Sequence, residues 1–458
     1  MRLILKYTMS PILIQVIQFF MSLSLLIVLH ELGHFIPAKI FKTRVEKFYL
    51  FFDIKYSLFK KKIGETVYGI GWLPLGGYVK ISGMIDESMD TDQMSEEPKP
   101  WEFRSKPSWQ RLIIMLGGVT VNFILAVIIY IGLAWSYGDV FIPNESLKDG
   151  VFVNEQSIGD KIGIQTGDKI ISVDGNKIED FDKIFIELVN GNQFTIERDG
   201  REITQEIPVD FISVLLEDEE NIRFLSPRLP FVIGAIPDNS KNKDAGLQVK
   251  DEIVRIGDTE ITYFDEAKPI LERYKNQEVV LMVKREDAGT IPIPVMISDT
   301  ATIGVINGAS FDELEKRGVL KLETRKYTFL ESIPAGIKKG VNTLTSYAKQ
   351  LKKIFNPETG AYKGVGGFAA IGNMFPGTWN WGAFWSTTAL ISIILAFMNI
   401  LPIPALDGGH VMFLLYEMVT GRKPSDKFLE YAQMTGFFLL IALLLFANGN
   451  DLYKWIFK

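Results

Sequence analysis

The residues of this sequence best suited to chemistry are its three histidines, which lie in two short motifs. His30 and His34 frame His30-Glu31-Leu32-Gly33-His34, and His410 closes Leu406-Asp407-Gly408-Gly409-His410. Residues four apart on a helix share a face, so His30 and His34 can offer two imidazole nitrogens to one tetrahedral zinc ion. Both motifs adjoin apolar segments of membrane-spanning length, where polar side chains are costly and usually functional. The pattern therefore predicts a metal site inside a bilayer.

The other polar residues of the two motifs complete a catalytic centre. Glu31 would lie beside the metal without binding it, where its carboxylate can accept a proton from water and deliver it to a leaving amine. The third ligand is either Asp407 or His410. Asp407 is favoured because two glycines follow it and let the backbone approach closely. Three protein ligands leave a fourth position open, as a catalytic zinc requires.

Composition indicates a membrane protein with sizeable soluble parts. The 458 residues are 47% hydrophobic and 23% charged, so apolar segments alternate with ordinary globular sequence. A formal net charge of -6 argues against nucleic acid as a partner. The absence of cysteine excludes disulfides, thiolate metal ligands and a cysteine nucleophile.

Four segments are apolar over the roughly 20 residues that a helix needs to cross a bilayer. They are Ile12 to about Phe35, about Leu112 to Trp135, about Phe384 to Leu401, and about Phe428 to Phe446. Lys60-Lys61-Lys62 lies between the first two, and Arg422, Lys423 and Lys427 lie between the last two. The positive-inside rule places these loops in the cytoplasm, so both termini and residues 138–382 would lie outside it. Both histidine motifs then fall near the cytoplasmic ends of their spans.

These motifs resemble those of the site-2 protease family of intramembrane zinc metalloproteases, in particular its RseP-type bacterial members. The resemblance rests on the His30 to His34 motif and on Asn399-Ile400-Leu401-Pro402-Ile403-Pro404-Ala405-Leu406-Asp407-Gly408-Gly409. It implies that His30, His34 and Asp407 bind Zn²⁺, that Glu31 is the catalytic carboxylate, and that Asn399 holds substrate or steadies the tetrahedral intermediate. From the residues alone, an interhelical hydrogen bond is the alternative role for Asn399.

A glycine-rich, strand-like stretch from Tyr68 to Ile81 follows the first span. The resemblance implies a membrane-associated β element here, in which Gly76, Gly77, Tyr78 and Val79 bind substrate. A transmembrane helix must be unwound before cleavage, and pairing with a strand edge would hold it extended. A surface hairpin on the cytoplasmic side is the alternative.

The second span carries Gly117-Gly118 and Asn122-Phe123, which also resemble the family. Val119 stands where the family often has proline, which weakens this part of the match. Asn122 is predicted to be structural, as a polar link between helices.

The region after the second span contains an internal repeat at an offset of 83 residues, with Gly163-Ile164-Gln165 matching Gly246-Leu247-Gln248 and Asp168 matching Asp251. Both copies resemble PDZ domains, which are a tandem feature of RseP-type proteins. Such domains would either bind a peptide of the substrate or exclude substrates whose outer part is untrimmed. Apolar residues from Ile333 to Ile354 then recur at helical spacing, which predicts an amphipathic helix on the outer membrane surface or against the PDZ-like pair.

The predicted fold is therefore a polytopic α-helical membrane protein with four transmembrane helices, a membrane-associated β element and two inserted α/β PDZ-like domains. Its predicted parts, by residue number, are 1–43 (first span), 44–108 (cytoplasmic-side loop with the β element), 109–137 (second span), 138–218 and 219–322 (PDZ-like domains), 323–382 (amphipathic helix and glycine-rich segment), 383–427 (third span with the Asp407 motif) and 428–458 (fourth span).

The predicted function is hydrolysis of peptide bonds in the transmembrane segments of pre-trimmed single-span proteins, in the bacterial inner membrane. The resemblance implies anti-sigma-factor-like regulators or signal peptide remnants as substrates. A PDZ-bearing scaffold with a structural metal and a metal-ion transporter are the alternatives. The open ligand position and Glu31 argue against the scaffold. The large insertion beside only four spans argues against the transporter.

Overall fold

The structure, a computed structural model, describes residues 10–74, 76–84, 97–154, 157–217 and 224–457. The chain divides into two compact units. The first unit comprises Met1–Gly138, Lys326–Lys352 and Lys363–Lys458, and the second comprises Asp139–Arg325 and Lys353–Tyr362.

Over the described residues, the α-helices are α1 (Pro11–Ile40), α2 (Ser108–Tyr137), α3 (Ile158–Lys161), α4 (Ile184–Asn190), α5 (Phe211–Glu217), α6 (Ala267–Leu271), α7 (Phe311–Lys316), α8 (Phe329–Ile354), α9 (Phe368–Asn373), α10 (Trp381–Ile400), α11 (Asp407–Thr420) and α12 (Asp426–Phe457). The β-strands are β1 (Val45–Leu50), β2 (Phe52–Ile63), β3 (Thr66–Leu73), β4 (Tyr78–Ile81), β5 (Asp139–Phe141), β6 (Val151–Val153), β7 (Lys169–Val173), β8 (Asn176–Lys177), β9 (Gln193–Arg198), β10 (Arg201–Glu206), β11 (Leu225–Pro227), β12 (Ile233–Ala235), β13 (Glu252–Ile256), β14 (Thr259–Glu260), β15 (Glu278–Arg285), β16 (Gly289–Met296), β17 (Ile306–Asn307) and β18 (Glu323–Arg325).

Four helices of the first unit are, within the described ranges, long and apolar enough to cross a membrane: Pro11–Ile40, Ser108–Tyr137, Trp381–Ile400 and Lys427–Phe457. The prediction of four spans is thus confirmed by length and composition. Local chemistry sets where two of them begin. Ser10 caps α1 by accepting a hydrogen bond from the Leu13 N–H at 3.2 Å, and Asn380 caps α10 through the Ala383 N–H at 3.0 Å.

Helix α2 packs against both neighbouring spans. A Cβ atom added to Gly33 on α1 or to Gly117 on α2 would collide with the backbone of the other helix, so the two helices cross in close contact there. On α10, Ala389 and Ile393 share a buried apolar cluster with residues of α2. Helix α2 therefore contacts α1 and α10 at different points along its length.

The first unit also contains a four-stranded sheet in the order β2-β3-β1-β4. Strand β1 runs parallel to β3 and antiparallel to β4, with Tyr49 opposite Tyr78 and Phe48 opposite Val79. The glycine-rich stretch therefore supplies two strands that β1 separates, rather than one continuous strand. Strand β4 lies at an edge of the sheet, so one side of its backbone is left outside the ladder.

The predicted amphipathic helix is present as α8, and it packs against α2. Gly336 packs against Ile131 and Gly340 packs against Val127, both on α2. The small residues of this Gly-x-x-x-Gly spacing allow helix backbones to approach closely. The apolar residue Ile337 is 45% exposed. Leu344 also packs on the apolar cluster of α2 and α10, and Tyr347 contacts Phe397 of α10, so the glycines and part of the apolar stripe both face these helices.

In the second unit, each copy of the internal repeat forms a four-stranded sheet. One four-stranded sheet has the order β10-β9-β7-β8 and the other β14-β13-β15-β16. In the first copy, Arg198 donates to both carboxylate oxygens of Asp168 at 2.7 Å and to the Gly163 carbonyl at 2.8 Å. In the second, Arg285 makes the same contacts with Asp251 at 2.8 and 2.7 Å and with the Gly246 carbonyl at 2.9 Å.

The first copy continues past its predicted end at residue 218. Strand β11 pairs with β6, and Phe224 is buried in the apolar core of the first copy. The repeat does not predict the pairing of β11 with β6, because the matched residues of the first copy end before β11.

Candidate metal centre

Helix α1 brings His30 and His34 together. One turn apart, their Nε2 atoms lie 3.3 Å from each other. The side chain of His34 is buried, and that of His30 is 13% exposed. The two predicted ligands on the first span therefore present adjacent nitrogen atoms.

Asp407 reaches the same point from the other motif. It is the first residue of α11, directly after the turn that follows α10. Its Oδ2 atom lies 3.3 Å from Nε2 of His30 and 3.3 Å from Nε2 of His34. In the described part of the chain, this trio is the group of His, Asp and Glu side chains that could hold a metal ion. His410 is not part of the trio, although it lines the same cavity.

The donor set fits zinc in both chemistry and spacing. Two imidazole nitrogens and one carboxylate oxygen are typical of a catalytic site. Ligand distances of about 2.0–2.1 Å in a tetrahedron imply about 3.3–3.4 Å between ligand atoms, which matches the three separations. Asp407 Oδ2 is buried and makes no hydrogen bond within the described residues, although a buried carboxylate oxygen normally has a partner. A cation at the centre of the trio would supply one.

The two histidines of α1 influence the ionisation of Asp407. Burial acts to raise the pKa of this carboxyl, but His34 and His30 outweigh that effect and hold the pKa below its ordinary value. The side chain is therefore ionised near neutral pH, the form that binds metals. Burial, with a contribution from His34, lowers the pKa of His410, which is accordingly neutral there.

Glu31 lies beside the trio without belonging to it. It is 9% exposed, and its side chain lies close to the backbone of Val79. It lines the cavity together with the three candidate ligands. This location would allow a carboxylate to exchange protons with a water molecule in the cavity.

Of the predicted substrate residues, three lie at the metal centre or line its cavity and two do not. Asn399, near the end of α10, places its Nδ2 3.5 Å from His30 Nε2, so its amide reaches the metal centre. Tyr78 and Val79 on β4 line the cavity, whereas Gly76 and Gly77 are outside that lining. Gly77 instead packs closely on α1, where a Cβ atom would collide with Ile27.

Two polar residues at the centre were not predicted to be there. Asn122, fully buried on α2, places Nδ2 3.2 Å from His30 Nδ1. Gln433 on α12 accepts a hydrogen bond from the Ala405 N–H at 3.1 Å and lines the cavity. Their shared sequence signal is a polar side chain inside an apolar span. That signal identified Asn122 as a link between helices but did not point to His30.

Comparison with known proteins agrees with this geometry. The model of peptidase family M50 matches residues 18–443. The chain belongs to peptidase family M50. It is similar to the regulator of sigma E protease of Haemophilus influenzae, with 27% identity over 95% of this chain and 98% of the relative. It is also similar to the regulator of sigma-E protease RseP of Escherichia coli, with 26% identity over 94% of this chain and 97% of the relative.

Another relative in Clostridium perfringens, named as a zinc metalloprotease, is 28% identical over 94% of this chain and 96% of its own length. Membership of family M50 and these relatives identify the chain as a metalloprotease. Zinc is its cofactor, in keeping with the names of the relatives and with the donor set of His30, His34 and Asp407.

Proposed function

We propose that this M50 metalloprotease cleaves peptide bonds within the membrane-spanning segments of its substrates, with His30, His34 and Asp407 as zinc ligands and Glu31 as general base and acid. One observation carries the proposal. The three ligand atoms converge at mutual distances of 3.3 Å, with both histidines on a helix long and apolar enough to span a bilayer and Asp407 after the turn that follows another.

The residues divide the work of hydrolysis. When bound, zinc makes water a stronger nucleophile and polarises the scissile carbonyl. Glu31 takes a proton from the attacking water and passes it to the nitrogen of the leaving amine as the C–N bond breaks. The Asn399 amide can donate a hydrogen bond to the oxygen on which negative charge develops. Its distance of 3.5 Å from His30 Nε2 supports that role.

The edge strand β4 is the proposed site for the unwound substrate, which would pair with it as an added strand. Tyr78 and Val79 would contact the substrate because they line the cavity, and Gly77 lets β4 approach α1. Gly76 and Gly77 would thus act by shaping the strand rather than by direct contact.

The second unit is proposed to consist of two PDZ-like domains outside the cytoplasm, with the metal centre towards the cytoplasmic side of the bacterial inner membrane. These domains would either bind substrate peptides or exclude untrimmed substrates. The relatives from Haemophilus influenzae and Escherichia coli are named as regulators of sigma E. By that similarity, the proposed substrates are pre-trimmed single-span proteins, such as anti-sigma-factor-like regulators or signal peptide remnants.

Replacing Glu31 tests the proposal directly. We expect Glu31→Gln to lose cleavage of a model single-span substrate in detergent or liposomes while it retains zinc, since the amide keeps the shape but cannot take a proton. Glu430→Gln on α12 makes the same chemical change at an exposed glutamate and should cleave normally. Continued cleavage by Glu31→Gln, or loss of its zinc, would contradict the assigned role.

Separate replacements settle the third ligand. Asp407→Ala should deplete bound zinc, measured by elemental analysis of the purified protein, because it removes one of three protein ligands. His410→Ala should retain zinc, since His410 lies outside the trio. The reverse pattern would reassign the ligand to His410.

A further inference from the structure

Each candidate histidine ligand has a partner for its second ring nitrogen, and both partners lie on α2. His34 Nδ1 lies 2.8 Å from the backbone carbonyl of Ile114. A carbonyl can only accept, so His34 Nδ1 carries the hydrogen and Nε2 keeps the lone pair that a metal needs. The fold thereby selects the metal-binding tautomer of His34.

His30 has a side-chain amide in the corresponding place. Asn122 Nδ2 lies 3.2 Å from His30 Nδ1. In this orientation the amide donates, so Nδ1 accepts and the ring hydrogen of a neutral His30 sits on Nε2, which then cannot bind a metal. The Oδ1 atom of Asn122 is buried and has no hydrogen-bond partner among the described residues.

A half-turn of the amide exchanges its oxygen and nitrogen without changing its shape. Oδ1 then accepts from Nδ1 of His30, and Nε2 is left with its lone pair directed at the ligand trio. The rotation replaces one hydrogen bond between Asn122 and His30 with another. The number of hydrogen bonds stays the same, but the tautomer of His30 changes. Histidines that bind metals almost always donate their second ring N–H to such an acceptor.

The backbone of Asn122 is held independently of its side chain. The Ser392 hydroxyl on α10 donates a hydrogen bond of 2.7 Å to the Asn122 carbonyl oxygen, and both residues are fully buried. The link between helices that the sequence predicted is therefore made by the main chain. The side-chain amide remains available for His30.

We infer that Asn122 is a positioning residue that sets the tautomer and ring orientation of His30 by accepting a hydrogen bond from its Nδ1. The inference rests on the proposed ligand set. Helix α2 would then orient both histidines. The backbone carbonyl of Ile114 orients His34, and the side-chain amide of Asn122, which can present either its oxygen or its nitrogen, orients His30.

The test measures zinc affinity of the full-length protein in detergent, by competition with a chromogenic chelator. Asn122→Leu keeps the size of the side chain but removes the acceptor, and we expect its zinc affinity to fall roughly 10- to 100-fold. Asn122→Asp keeps an acceptor oxygen, so its affinity should be at or above that of the unmodified protein. Ser392→Ala is the control for helix packing and should bind zinc normally.

The outcomes separate positioning from packing. Unchanged zinc affinity in Asn122→Leu would overturn the inference, as would equal losses in the Leu and Asp variants or a comparable loss in Ser392→Ala. If Asn122→Leu cannot be recovered folded, Asn122→Ala is judged by the same criteria. Zinc binding that survives Asp407→Ala would instead refute the proposed ligand set, so the two failures are distinguishable.

Discussion

Gly118 on α2 faces both candidate histidine ligands, and a Cβ atom built there would meet ring atoms of His34 and His30. The imidazoles therefore occupy space that any larger residue on α2 would take. At the scale of single residues, the metal centre depends on this missing side chain as well as on the ligands themselves.

We predict that Gly118→Ala displaces the histidine rings and weakens zinc binding by about tenfold or more, the size of effect seen when the surroundings of a metal ligand are disturbed. Gly132→Ala is a matched control on the same helix, because a Cβ atom there would meet nothing within 4 Å. Both changes increase helix propensity by the same amount. A difference in zinc affinity between the two variants, measured by chelator competition, therefore reports the steric effect at Gly118. Equal zinc affinities in the two variants would contradict the prediction.

At the scale of elements, α12 holds the turn that presents Asp407. Ala405 has a φ of +78°, which costs a residue with a side chain about 1–3 kcal/mol. Its N–H donates to Gln433 on α12, and Gly436 packs so closely on Pro404 that a Cβ atom would collide with it. The fourth span consequently stabilises a strained turn two residues before the ligand.

We predict that Gln433→Leu destabilises this turn by about 1 kcal/mol, because the half-buried Ala405 N–H loses its acceptor. The measurable result is faster loss of zinc to excess chelator. Gln433→Glu keeps an oxygen in the same place. This oxygen can still accept the hydrogen bond from the Ala405 N–H, so the variant should release zinc at the normal rate. Identical rates for the Leu variant and the unmodified protein would show that α12 does not hold the turn.

At the scale of the whole molecule, the second unit is stabilised by ion pairs that recur in both copies of the repeat. Asp168 and Asp251 are 1% and 2% exposed, while their arginine partners are 24% and 19% exposed. Each carboxylate also accepts a backbone N–H bond, from Gln165 at 2.7 Å and from Gln248 at 2.8 Å. One buried carboxylate thus ties a loop to a strand in each copy.

We predict that Asp168→Asn and Asp251→Asn each destabilise the second unit by about 2 kcal/mol, since each leaves a partly buried guanidinium without its charged partner. Asp238→Asn is the control, because its ion pair with Lys243 lies at the surface and Asp238 is 96% exposed. Hydrogen exchange of the full-length protein should show faster opening of the altered copy. Exchange as slow as in Asp238→Asn would contradict the prediction.

The sequence by itself determined the parts of this protein that rest on local pattern. Four apolar segments are recognisable because a helix must bury its peptide groups to cross lipid. His30, Glu31 and His34 follow from the helical repeat, since residues four apart share a face whatever surrounds them. The repeat at 83 residues likewise placed Asp168 and Asp251 in equivalent positions, although not the arginines that pair with them.

Only the tertiary structure decided which distant groups meet. Asp407 rather than His410 joins the histidines because the turn after α10 aims the first residue of α11 at α1. Asn122 and Gln433 reach the centre from two other spans, and the glycines of α8 pack on α2 beside part of its apolar stripe. These contacts depend on how whole helices cross, which the spacing of residues within one helix does not specify.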